Sequence, residues 1–190
     1  SHKLKLIAER ERGVDYSVVD FDDRLWIRSN RNGAVDFALV SAPHDSPAEE
    51  NWRVEIPHRA GVLLLDVEPF ADFIVRMERE NGLPRIVVRE RGTGAEHAIE
   101  FAEQAYALGM SNGYLWNSPW LRFEYSSPST PAQVFDYNMR TRERVLRKTQ
   151  TVPSGHVPSD YIVERIDAPA SDDAQIPVTM VRHKDTPVDG

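Results

Sequence analysis

Serines, histidines and carboxylates are the side chains here that could do chemistry, because the chain has no cysteine to act as nucleophile, thiolate ligand or disulfide. A nucleophilic serine works from a G-x-S-x-G corner between a strand and a helix, which projects its Oγ. No elbow of that kind is expected. Ser154-Gly155-His156 sets a serine near a histidine, but it lies in a spacer bounded by Pro153 and Pro158 and is read as linker. Asp20-Phe21-Asp22-Asp23 gathers carboxylates without the Gly and distal Glu of a calcium loop, so it reads as a solvated turn. His44, His58, His97 and His183 never fall in H-x-H or H-x-x-x-H spacing, which removes the local signature of zinc. Trp26, Trp52, Trp116 and Trp120 read as packing residues rather than a stacking surface. No catalytic residue, metal site or cofactor is therefore assigned, and the substrate-binding residues stay open.

The elements that hold these residues follow from a repeat. Leu25-Trp26-Ile27-Arg28, Phe73-Ile74-Val75-Arg76 and Leu121-Arg122-Phe123-Glu124 start 48 residues apart, and so do segments beginning at Phe37, Arg85 and Gln133. Both sets are short, rich in β-branched and aromatic residues, and separated by turn chemistry, which is how strands read. Asn32-Gly33 and Asn81-Gly82 supply the positive φ angles of tight hairpins, whereas the third copy has Ser129-Thr130-Pro131. Each copy adds a strand before (16–21, 62–67, 105–110) and one after (52–56, 96–101, 144–148). Four antiparallel strands in about 45–50 residues is one propeller blade. Val62-Leu63-Leu64-Leu65 is continuously apolar, as an inner strand covered on both faces should be.

The period fails at Pro169, which cannot sit in a central strand. The fold expected is all-β: a partial β-propeller of three four-stranded blades (14–58, 59–103 and 104–150), a Pro-containing linker at 151–158, and a hairpin segment over 159–190 that turns at Asp172-Asp173-Ala174. Residues 1–13, opening on Ser1-His2-Lys3-Leu4-Lys5, read as a cloning remnant and leader joined to an internal start.

Composition limits the partners. With 23 basic and 30 acidic residues the net charge is −7, which repels a phosphate backbone, so nucleic acid is not expected. No apolar run approaches the ~18 residues of a membrane span, the longest being Gly61 to Leu65. A cytoplasmic setting is expected.

Three stretches carry a family resemblance. Leu25 to Gly33, Tyr125-Ser126-Ser127-Pro128-Ser129-Thr130-Pro131 and Tyr161-Ile162-Val163-Glu164-Arg165 resemble, in order and spacing, the oligopeptidase B branch of the prolyl oligopeptidase family of serine peptidases. The resemblance runs from about Asp15 to Val181, and the Ser-Ser-Pro-Ser-Thr-Pro stretch is its most specific element. Met139-Arg140-Thr141-Arg142 and Asp172-Asp173 depart from it, standing where the family usually has a Gly-containing turn and Asp-Gly. It implies a seven-bladed propeller capping an α/β-hydrolase domain whose Ser-Asp-His triad lies downstream of this stretch. The 159–190 hairpin would then open the peptidase domain. The parent would cleave oligopeptides after Arg or Lys, with this stretch gating access and itself non-catalytic. Its partners would be oligopeptide substrates, the remaining blades and the peptidase domain. The alternative is a propeller-type peptide or protein binding module without chemistry. Three blades cannot close a ring, so a head-to-tail homodimer of the chain is also expected.

The 190-residue chain should show no amidase activity, since it offers no elbow serine or cysteine for an acyl intermediate. An arginyl-coumarin amide assay checks this: turnover that co-purifies with the chain and is blocked by a serine-directed phosphonate would reverse the assignment.

Overall fold

The structure, a computed structural model, describes residues 4–111 and 115–189. Ser1 to Lys3 of the expected leader and Gly190 at the end of the last expected segment lie outside that range. Twelve strands form three antiparallel sheets in which spatial order follows chain order. The first blade holds β1 (Tyr16–Phe21), β2 (Arg24–Ser29), β3 (Ala38–Pro43) and β4 (Arg53–Ile56). The second holds β5 (Val62–Pro69), β6 (Phe73–Glu80), β7 (Leu83–Glu90) and β8 (Glu96–Ala98). The third holds β9 (Ala107–Met110), β10 (Trp120–Ser126), β11 (Gln133–Asn138) and β12 (Arg144–Thr149). A separate two-stranded sheet follows, β13 (Tyr161–Pro169) paired with β14 (Gln175–His183).

The core lies between blades, because each sheet has an apolar face that a neighbouring sheet covers. Phe21, Trp26, Leu39 and Ile56 of the first blade meet Leu64, Val67 and Ile74 of the second. On the other side of the second blade, Phe73, Val75, Met77, Ile86 and Val88 meet Leu121, Phe123, Tyr125, Tyr137 and Met139. Strand alternation does this sorting: along β6, Phe73, Val75 and Met77 face the third blade while Ile74 faces the first. The continuous run in β5 has a further cause. A bulge between Leu64 and Asp66 shifts the register, so Leu64 and Val67 both face the first blade and Leu65 packs on the opposite side.

Several local expectations change. Asn81 and Gly82, with φ of 51° and 76°, join Glu80 directly to Leu83 as a two-residue hairpin. Asn32 and Gly33 also take positive φ, and the Ala34 amide bonds the Arg31 carbonyl at 3.2 Å, but this turn sits inside a longer connection. Phe37 ends that connection at φ 65°, which takes it out of the strand expected to begin there. Its ring instead carries the Arg28 guanidinium at 4.0 Å. β8 stops at Ala98 rather than Phe101, since Ile99 and Phe101 turn inward to the core. β9 begins at Ala107, leaving Ala105 buried in the preceding connection.

The two end faces are chemically unlike. Register places Val18, Ile27, Val40 and Val54 on the first-blade face that turns away from the second blade, where Val18 and Val54 are exposed and Ile27 is fully buried. The outward face of the third blade carries Asp136, which accepts from Arg122 at 2.7 and 3.0 Å and from Arg147 at 2.6 Å. Head-to-tail pairing would set the apolar residues of the first face against this charged cluster. The last hairpin leaves Ile166, Ile176 and Met180 exposed on one face.

Phe123 has no exposed surface and packs edge-on to Phe101 and stacked on Phe135, with centroids at 5.8 and 5.4 Å. Phe123→Ala should cost about 3–5 kcal/mol, while Leu146→Ala, at a half-exposed position, should stay within about 0.5 kcal/mol. Urea unfolding of the two variants measures both.

Candidate functional site

Arg76 and Glu78 bring opposite charges into the interior of the second blade. Register puts Arg76 and Glu78 of β6 on the face toward the first blade, where they are 3% and 0% exposed. A buried carboxylate is costly unless its lone pairs are filled. Glu78 accepts from Arg76 Nε at 2.9 Å, from Arg85 Nε at 3.0 Å and from Arg59 Nη2. Arg76 also makes a fork to Glu96 at 2.7 and 2.9 Å, and Arg85 reaches Glu80. Burial alone would lower the Arg76 guanidinium, but its bonds to Glu96 and Glu78 leave it above the usual arginine value. The bond from Arg76 holds the Glu96 carboxyl below its usual range. The network pairs its charges internally and so braces the blade.

The second and third blades share a polar tie. His97 Nε2 lies 3.0 Å from the Tyr137 hydroxyl, beside a recess of about 100 Å³ lined by Phe73, Glu90, Met139, Arg140 and Arg142. Burial, then the Arg142 charge, lowers the His97 pKa, and burial raises that of Tyr137.

The Ser127 to Pro131 loop organises the junction with the last hairpin. Ser127 Oγ accepts from the amides of Ser129 and Thr130 at 3.1 and 2.8 Å, closing a serine turn. Glu103, in the connection from the second blade, accepts from Thr130 Oγ1 at 2.6 Å and Ser129 Oγ at 3.4 Å. Burial and the Glu103 carboxylate push the Tyr125 phenol well above its usual value. From the linker, His156 Nε2 donates to the Ser129 carbonyl at 2.6 Å and its ring stacks on Tyr161. Farther along β13, the Arg165 amide donates to Gln104 Oε1 at 3.1 Å and its Nη2 donates to the Asn81 carbonyl. Asn81, Gln104, Arg165, Asp167, Gln175 and Pro177 line a cleft of about 690 Å³ between this hairpin and the second blade.

Residues 1–150 match the family model for the prolyl oligopeptidase N-terminal β-propeller domain. The chain belongs to that family. It is 39% identical over 186 residues to dipeptidyl aminopeptidase BI of Pseudoxanthomonas mexicana, covering 97% of this chain and 25% of that protein. It is 27% identical to protease 2 of Moraxella lacunata, covering 94% and 25%. Oligopeptidase B from Leishmania major superposes with a TM-score of 0.85 at 29% identity, covering 96% of this chain and 27% of that one. The closed form of Trypanosoma brucei oligopeptidase B with covalently bound antipain gives 0.87 at 27% identity, covering 98% and 27%. The chain spans about a quarter of the length of the relatives it matches.

In this prolyl oligopeptidase propeller the residues singled out by sequence meet at most in pairs, and among the described residues no three of the His, Asp and Glu side chains gather as a metal site would require. Asp20 pairs with His44 at 2.9 Å and Asp22 with Arg91 at 2.5 Å, so the carboxylates of that turn serve two different ion pairs. His58 Nε2 is buried 3.6 Å from Asp36 Oδ2. His183 packs edge-on against Tyr161. Trp26 is buried against Phe21, and Trp52 donates to the Pro47 carbonyl at 3.1 Å. Trp116 departs from the packing role: its residue is 44% exposed, its ring meets Phe21 edge-on, and its carbonyl accepts the Ala71 amide at 2.9 Å.

One pattern escaped the sequence reading. Gly109-Met110-Ser111-Asn112-Gly113 does have G-x-S-x-G spacing, contrary to the expectation that no elbow signature is present. Its setting is wrong for an elbow. Gly109 and Met110 close β9, an antiparallel strand paired to β10, and the Ser111 amide still bonds the Arg122 carbonyl at 3.1 Å. The next described element is β10 and not a helix. Asn112 and Gly113 lie outside the described residues. The Glu78 network, Glu103 and Arg165 were also missed. The signal that could have found the first is the pair of charges inside Phe-Ile-Val-Arg-Met-Glu, where both faces of the strand are needed for packing.

The His97 tie sets a pH dependence. The fold favours neutral His97, whereas the unfolded chain takes up its proton near the usual 6.5. Its contribution is complete above 6.5 and is lost as pH falls toward the lowered folded value. Glu96, also lowered, loses its contribution in a separate window below 4.5. Urea midpoints should therefore drop between pH 7.5 and 5.5 in the native chain, and the drop should shrink in His97→Gln.

Proposed function

We propose that this chain is the propeller-side segment of a serine oligopeptidase that cleaves short peptides after Arg or Lys, and that it limits access to an active site outside this stretch. The supporting observation is that the likeness to oligopeptidase B runs past the propeller model, which ends at residue 150, through the linker and the last hairpin. On this reading residues 151–158 link two modules and the β13–β14 hairpin opens the peptidase domain. The blades contribute no reacting group. They contribute a rigid wall, because each inter-blade core is closely packed and the Asp22–Arg91 and Asp72–Arg140 ion pairs tie one blade to the next. A rigid ring admits a flexible peptide and excludes a folded protein.

A second reading rests on the 39% identity to a dipeptidyl aminopeptidase, which by its name releases dipeptides from a free amino terminus. The two readings separate on one substrate pair. The complete protein should hydrolyse an amino-blocked Arg-Arg-coumarin amide at least about as fast as its free-amine form, and a Pro-terminated analogue at least about tenfold more slowly. Turnover confined to the free-amine substrate supports the dipeptidyl reading instead. No turnover of either leaves a binding module.

A further inference from the structure

The hairpin meets the second blade through polar contacts. No residue of β13 or β14 joins either apolar core cluster. What faces the blade across the cleft is Arg165, Asp167, Gln175 and Pro177, opposite Asn81 and Gln104. A two-stranded hairpin is marginal in water by itself, so its order here depends on a few directed bonds. The strongest in kind is the one from the Arg165 guanidinium to the Asn81 carbonyl, because it is charge-assisted and reaches a backbone group that cannot rotate away.

The turn is built to receive it. A Cβ placed on Gly82 would stand 3.1 Å from Arg165 Nη2 and 3.6 Å from Pro177 Cγ. Glycine therefore does two things at this position: it permits the φ of 76° of the turn, and it clears the approach of the arginine. The Arg165 amide on Gln104 fixes the strand beside the turn, and His156 on the Ser129 carbonyl fixes the linker.

We infer that Arg165 is a releasable latch: its bond to the Asn81 carbonyl holds the hairpin on the turn of the second blade, and the polar cleft around it is the plane along which the hairpin parts from the propeller. Parting there uncovers amide and charged groups that water can satisfy, and little apolar surface. The inference rests on the reading that the hairpin begins a second module, but its test needs no activity.

In the 190-residue chain, Arg165→Gln removes the charge and Arg165→Lys keeps it. Trypsin cleavage at Arg182 and Lys184 and amide exchange over residues 161–183 report release of the hairpin, and exchange over residues 73–90 reports the blade. Arg165→Gln should speed cleavage and hairpin exchange by about tenfold, the loss expected for one charged hydrogen bond, with the blade unchanged. Arg165→Lys should fall between. Native rates in Arg165→Gln overturn the latch, and so does loss of protection in the blade, which would make Arg165 a general stabiliser. A failed latch leaves the substrate assay of the complete protein untouched, and a failed assay leaves the latch measurable.

Discussion

Everything in this molecule depends on blades lacking a private core. A four-stranded sheet with two apolar faces must find cover on both, and the second blade does so by lying between the other two. Phe73, Val75 and Met77 are covered on one side, Ile74, Leu64 and Val67 on the other. Apolar burial at about 25 cal/mol per Å² makes this contact the main source of cohesion. The same requirement explains the β5 bulge, which re-aims one leucine so that the inner strand serves both neighbours.

Ion pairs refine what apolar contact cannot specify. Greasy faces slide, whereas a buried carboxylate with three arginine donors has one good position. Glu78 draws Arg59, from the connection between blades, together with Arg76 and Arg85 of its own sheet. Replacing such a cluster with apolar side chains can be neutral for stability, but removing one member leaves buried charge uncompensated. At the third blade the same chemistry faces outward, with Asp136 between Arg122 and Arg147. The end of the array is thereby dressed differently from its interior.

The Ser127 to Pro131 loop shows how a hydroxyl-rich stretch can serve structure instead of chemistry. Its hydroxyls hold Glu103, its backbone receives His156, and so one loop ties a blade connection to the linker and to the last hairpin. That is the place where the third blade meets the segment that follows it.

Much of this was legible in the residues alone. The 48-residue period located β2, β6 and β10 and their neighbours, since strand alternation and turn chemistry are local and survive any tertiary arrangement. The three four-stranded sheets and the final hairpin followed from the same period and its failure at Pro169. Local signals could flag Arg76 and Glu78 as charges within an apolar strand but could not name their partners, because Arg59, Arg85 and Glu96 come from other strands and connections. Nor could they show that a G-x-S-x-G pentapeptide sits at the end of an antiparallel strand, that Trp116 lies at the surface, or that Gly82 makes room for an arginine 83 positions later. Those facts depend on which surfaces meet across long separations. That is decided by the packing of whole sheets, not by the residues flanking any one position.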